Sequence, residues 1–164
     1  MILNRQRKYA ADLPALRSFV QQLKRTLRLD GGDFNVCLVS DREIQRLNGK
    51  FRGKHRATDV LAFPWDGAAG RGSDGAHERE FRHFLGDVVI SVETARRNAR
   101  LARHSELAEI RWLVLHGLLH LLGYDHERDH GEMRRLELAL RERLGIAGTR
   151  SSRGLNRLAK DRHG

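Results

Sequence analysis

Apolar positions along this chain switch between helical and strand-like spacing in a readable order. Met1–Arg5 has the look of a short edge strand. Leu16, Phe19, Val20, Leu23 and Leu27 then recur every three or four residues behind Asp12-Leu13-Pro14, which predicts a helix with an acidic cap and proline in its first turn; Gly31-Gly32 closes that unit. Phe34–Ser40 (FNVCLVS) is a short apolar run between turn residues and reads as a buried strand. Ser40 or Asp41 caps a second short helix, with Ile44 and Leu47 inward and Asn48-Gly49 as its stop. A basic loop containing Arg52, Lys54, His55 and Arg56 leads into a strand over Thr58–Phe63 that Pro64 ends. Leu85–Ser91 (LGDVVIS) is the next strand, and the two form a hairpin-like antiparallel pair. Three consecutive helices follow. One is the arginine-studded Val92–Arg103, and one is long and starts at Ser105. The last begins at Asp129 or His130, with Met133, Leu136, Leu140 and Leu144 inward.

This order predicts an α+β fold, a small mixed four-stranded sheet packed against about five helices. Residues 1–145 read as a single domain. The stretch 66–83 is rich in glycine and charge without periodicity and reads as a long loop whose histidines, His77 and His83, are bystanders. The tail 146–164 is basic and polar, and is expected to be flexible or to lie on a polyanion.

Composition adds a partner and a compartment. With 31 Lys+Arg against 21 Asp+Glu, the formal net charge is +10, mostly arginine, which forks onto phosphates and stacks on bases. That charge suits a polyanion such as nucleic acid, although an arginine-rich proteome would give the same balance. No apolar run approaches the ~20 residues needed to span a bilayer, and the N-terminus lacks the apolar core of a secretory signal. The single cysteine, Cys37, fits a reducing cytoplasm and reads as a small buried hydrophobe.

Candidate chemistry is concentrated in Leu113–His126, LVLHGLLHLLGYDH. His116 and His120, four apart on a leucine-rich helix, lie one turn apart on one face, where two imidazoles can reach one metal ion. Gly123 suits a left-handed helix end, after which the chain can return His126 as a third ligand. Three nitrogens with an open fourth position make the catalytic form of a zinc site, with one Zn(2+) per chain, on the helix 105–122 and the turn after it. Such an ion makes a water nucleophile available near neutral pH. The spacing copies the zincin pattern H-E-x-x-H-x-x-G-x-x-H except that Gly117 stands where a metalloprotease has its glutamate base. Asp125 either orients a ligand histidine or caps the turn, and Met133 reads as a core residue.

Three segments together resemble the YbeY family of bacterial endoribonucleases and rRNA maturation factors: HGLLHLLGYDH (His116–His126), FRGKHRATDVLAFP and LGDVVIS, in order and spacing, over roughly Met1 to Gly145. Ala62 stands where that family more often has serine. The resemblance implies a zinc-dependent, single-strand-specific endoribonuclease in late small-subunit (16S) rRNA 3′-end maturation and ribosome quality control. It carries over His116, His120 and His126 as ligands and Arg52 as a functional arginine. His116 and Arg52 are thus the expected catalytic pair. Single-stranded RNA or rRNA and the small subunit or its assembly factors are the expected partners, with no membrane and no DNA. Arg52, Lys54, Arg56 and the arginines of Val92–Arg103 are the candidates to line a basic groove. Two other readings stay open at this point: a non-catalytic ribosome-assembly factor with structural zinc, which a fourth protein ligand such as His130 would favour, and a metal-dependent hydrolase of another substrate.

Overall fold

A computed structural model describes residues 1–65 and 83–146. Most of the expected loop 66–83 and all but Ile146 of the expected tail therefore lie outside the described residues. Those residues form strands β1 (Ile2–Asn4), β2 (Asp33–Val39), β3 (Val60–Pro64) and β4 (Phe84–Ser91), and helices α1 (Leu13–Thr26), α2 (Asp41–Arg52), α3 (Val92–Ala102), α4 (Glu106–Leu121) and α5 (Glu132–Arg143). The sheet order is β1-β2-β4-β3. β1 and β4 run parallel to β2, and β3 runs antiparallel to β4, pairing Ala62 with Val88. The α+β class, the mixed four-stranded sheet, the β1 edge and the antiparallel β3–β4 pair are all as the pattern predicts.

Both faces of the sheet are covered. Phe34, Val36 and Leu38 of β2, Val60 and Ala62 of β3, and Val88 and Ile90 of β4 belong to the main core with α1 and α4. Val39, Leu61 and Val89 belong instead to a smaller cluster with Ile44 of α2. Strands covered on both faces lose the apolar–polar alternation of a half-exposed strand, which is why FNVCLVS and DVVIS read as near-continuous apolar runs. Four helices start on a side-chain cap, where Asp12, Ser40, Ser91 and Ser105 accept from the backbone N–H of Ala15, Glu43, Thr94 and Ala108. Each cap satisfies one of the orphan donors at a helix start.

One boundary differs from the local signals in a way that matters for function. α2 does not stop at Asn48-Gly49 but continues to Arg52, and Gly53 supplies the left-handed end at φ +66°. Asn48 is fully buried and its Nδ2 donates to the Arg56 carbonyl at 2.9 Å. Gly49 lies under the His55 imidazole, where a Cβ would sit 2.6 Å from Nδ1. The two supposed stop residues are thus the seat on which the 53–58 turn packs, a tertiary use that local propensity does not register. Arg52 consequently belongs to the last turn of α2, not to the basic loop. β3 begins later than predicted, at Val60, because Thr58 and Asp59 are buried in the turn before it. Cys37 is half-buried rather than fully buried, and burial raises its thiol pKa, which disfavours the nucleophilic thiolate.

Candidate metal centre

α4 carries the centre because it is apolar almost all round. Its face toward the sheet is pressed close at Gly117, where an added Cβ would stand 2.5 Å from Cγ1 of Val88. The zincin glutamate position is therefore filled by the sheet itself, and no longer side chain fits there without displacing α4. Beyond Leu122, Gly123 takes φ +95°, and the N–H groups of Gly123 and Tyr124 donate to the His120 and Leu119 carbonyls. These bonds satisfy carbonyls the helix end would leave open and turn the chain back on itself. Asp125 Oδ1 accepts from Glu127 N at 3.0 Å, so Asp125 caps the turn that returns His126. Met133 is fully buried in the main core, as expected.

The three predicted histidines converge. His116 Nε2 and His120 Nε2 stand 3.1 Å apart. The His116 ring lies 4.7 Å from that of His120 and, stacked, 5.5 Å from that of His126, while the His120 and His126 rings are 6.3 Å apart. A fourth residue, absent from the sequence reading, completes the cluster. Glu137 of α5 places Oε1 2.5 Å from His116 Nδ1 and Oε2 3.5 Å from His126 Nε2. His116, His126 and Glu137 have ligand-capable atoms that all lie within 4.8 Å of one another, so this His/His/Glu cluster could hold a metal ion. His120 joins it through His116. A signal for Glu137 was present: it follows Met133 by four and precedes Leu140 by three, which puts a carboxylate on the inward stripe of α5, where an unpaired one is rarely tolerated.

Electrostatics suit a cation. Burial, and then the neighbouring His116 and His126, push the His120 pKa down to about 4, so its imidazole is neutral at physiological pH, as a ligand must be. Burial alone would raise Glu137, but its hydrogen bonds from His116 and His126 outweigh that and bring it to about 2. Ligand nitrogens of a tetrahedral zinc site with bonds of about 2.0–2.1 Å lie roughly 3.3 Å apart, close to the observed His116–His120 separation. The His116 and His120 nitrogens are therefore spaced so that both could reach one divalent ion.

The histidines open onto a cleft of about 350 Å³ lined by His116, His120, Arg52, Ala62 and Tyr124 among others. Arg52 reaches it from the end of α2 and donates from Nη2 to the Ala62 carbonyl, 3.3 Å away on the β3 edge. Of the basic residues expected in a groove, Arg52 alone is on the cleft wall. Arg96 and Arg97 of α3 pair with Glu106 and Asp41, each at 2.7 Å. His130 does not join the cluster.

A family model described as endoribonuclease YbeY matches residues 1–145. The chain belongs to the YbeY family. Among curated relatives, the endoribonuclease YbeY of Nautilia profundicola is 46% identical over 114 residues, 70% of this chain and 73% of that protein. The endoribonuclease YbeY of Desulforamulus reducens is 38% identical over 152 residues, 89% of this chain and 97% of that protein. The solution structure of TM1509 from Thermotoga maritima superposes with a TM-score of 0.57 at 28% identity, covering 94% of this chain and 99% of that one. The YbeY family is one of enzymes that cut RNA, and the three segments that suggested it at the sequence level all lie within the matched residues. No helix of the described residues is long and apolar enough to cross a membrane.

Proposed function

We propose that this chain is a zinc-dependent, single-strand-specific endoribonuclease acting in the cytoplasm on small-subunit rRNA, in 3′-end maturation and ribosome quality control, with residues 1–145 as its catalytic unit. The observation that supports this best is the arrangement around the cleft: imidazole nitrogens of His116 and His120 at 3.1 Å, His126 stacked on His116, and Arg52 lining the same cleft. His116, His120 and His126 would hold the ion, which when bound supplies Lewis-acid polarisation and a water-derived nucleophile at neutral pH. Arg52 contributes a fixed guanidinium whose fork suits a phosphate and which offsets negative charge gathering on the phosphoryl oxygens. Its bond to the Ala62 carbonyl holds that fork toward the cleft. Tyr124, partly exposed and lining the same cleft, offers a face on which an unpaired base can stack, which a base inside a duplex cannot reach.

Glu137 favours one competing reading, an assembly factor whose zinc is closed by a fourth protein ligand and serves structure only. Metal content by mass spectrometry, combined with cleavage of labelled single-stranded RNA, separates the two. About one zinc per chain, cleavage abolished in His116→Ala, and cleavage abolished but metal retained in Arg52→Glu support the nuclease. Full metal with background cleavage by the unmodified protein refutes it.

A further inference from the structure

We infer that Glu137 is a positioning residue of the metal centre: from α5 it fixes which nitrogen of His116 faces the ion and holds His126 against the same site. The inference rests on the three-histidine reading of the centre and goes beyond it, because Glu137 is on a different helix from His116 and outside the histidine motif.

Three observations carry it. First, the contact falls on the far side of the ring. Glu137 Oε1 meets His116 Nδ1 at 2.5 Å, while Nε2 of the same imidazole faces His120 Nε2 at 3.1 Å. A carboxylate only accepts, so the proton of His116 belongs on Nδ1 and the lone pair on Nε2 points at the site. The carboxylate thereby selects the tautomer that coordination through Nε2 needs before the ion arrives. Second, the same carboxylate spans two ligands. Its other oxygen lies 3.5 Å from His126 Nε2, and His126 comes from a turn, with 25% of its side chain exposed. One buried acid thereby ties the turn-borne His126 to the helix-borne His116. Third, Glu137 is itself rigid. Its residue is 4% exposed, and Met133 and Leu140 on the same face of α5 are buried in the main core. Partners that orient ligand histidines in this way ordinarily change metal affinity by about 10–100-fold when removed.

The test is zinc affinity measured by competition with a chromophoric chelator, with the visible absorption of the cobalt-loaded protein as a second readout. Glu137→Gln keeps the shape and an acceptor for Nδ1–H but removes the charge; it should weaken zinc roughly tenfold. Glu137→Ala should weaken it roughly a hundredfold. At saturating cobalt, Glu137→Gln should keep the band positions and intensity of the unmodified protein, since the ligands themselves are unchanged. Far-ultraviolet circular dichroism of the metal-free variants checks the fold, and Glu137→Gln keeps the test decisive if Glu137→Ala does not fold. Unchanged zinc affinity in Glu137→Gln overturns the inference. So does an altered cobalt spectrum at saturation, because Glu137 would then be a ligand. If His116→Ala loses zinc while Glu137→Gln does not, the three-histidine reading stands and only this inference falls. If the unmodified protein takes up no stoichiometric metal, both fall.

Discussion

Gly117 offers the sharpest test of how the fold builds the site. In Gly117→Ala the new methyl carbon would lie 2.5 and 3.0 Å from the two Cγ atoms of Val88 and 3.3 Å from its Cβ. Apolar carbons prefer about 3.5–4.0 Å, so the overlap approaches an ångström. Val88 has little room to yield. It is fully buried, stiff at χ1, and sits on β4, which is hydrogen-bonded to β2 on one side and β3 on the other. Overpacking of this kind costs about 1–3 kcal/mol, and this geometry belongs near the upper end. Alanine gains about 1 kcal/mol over glycine in a helix interior, which leaves a net loss of about 2 kcal/mol. Val88→Ala alone should cost about 2–3 kcal/mol through lost burial and the cavity it leaves. Together the two changes should not add, because the alanine methyl at 117 occupies space the valine vacates. The double variant should therefore be about 3 kcal/mol more stable than the sum of the singles, since the overlap is relieved while the helix gain of alanine remains. Urea unfolding of the metal-free proteins, fitted to a two-state transition, measures all four corners of the cycle. If the double variant equals the sum within about 0.5 kcal/mol, or if Gly117→Ala is stabilising, the close approach of α4 to the sheet is not what glycine is there for.

Other outcomes follow from the same geometry. Arg52→Glu should lower RNA cleavage by roughly 100-fold or more with zinc content unchanged, and its unfolding midpoint should move little, because Arg52 is exposed apart from one bond to the Ala62 carbonyl. A cleavage rate within a few-fold of the parent would remove Arg52 from the chemistry. Metal-free protein should lose stability in acid in two stages. His120 is held at about 4, below its ordinary 6.5, so its contribution is complete above 6.5 and is lost as pH falls toward 4. Glu137 is held at about 2, below its ordinary 4.5, and its contribution goes as pH falls from 4.5 toward 2. Urea midpoints that stay level or rise between pH 7.5 and 4 would contradict the first stage, and midpoints that stay level or rise between pH 4 and 2.5 the second. Ser105→Ala, which removes the hydroxyl capping α4 at the Ala108 N–H, should cost about 1 kcal/mol by the same assay; a loss below about 0.3 kcal/mol would mean the cap is dispensable.

Local pattern by itself determined the class of fold, the strands of a sheet covered on both faces and the caps of α1, α2 and α4, because each rests on spacing within a dozen residues; the Ser91 cap of α3 appeared only in the structure. It also picked out the three histidines whose rings converge, since the i, i+4 pair and the glycine-led turn are properties of one continuous stretch. Tertiary structure decided three things that no local signal carries. α2 runs past Asn48-Gly49 because the 53–58 turn packs on those two residues, and this extension is what delivers Arg52 to the cleft. Gly117 is glycine because Val88, from a strand nearly thirty residues earlier, occupies the space a side chain would need. Glu137 joins the centre because α5 folds back over the turn and lays its inward face beside His116, twenty-one residues away in sequence. A sequence shows that a carboxylate stands on an apolar stripe; the folded chain alone decides which imidazole it meets.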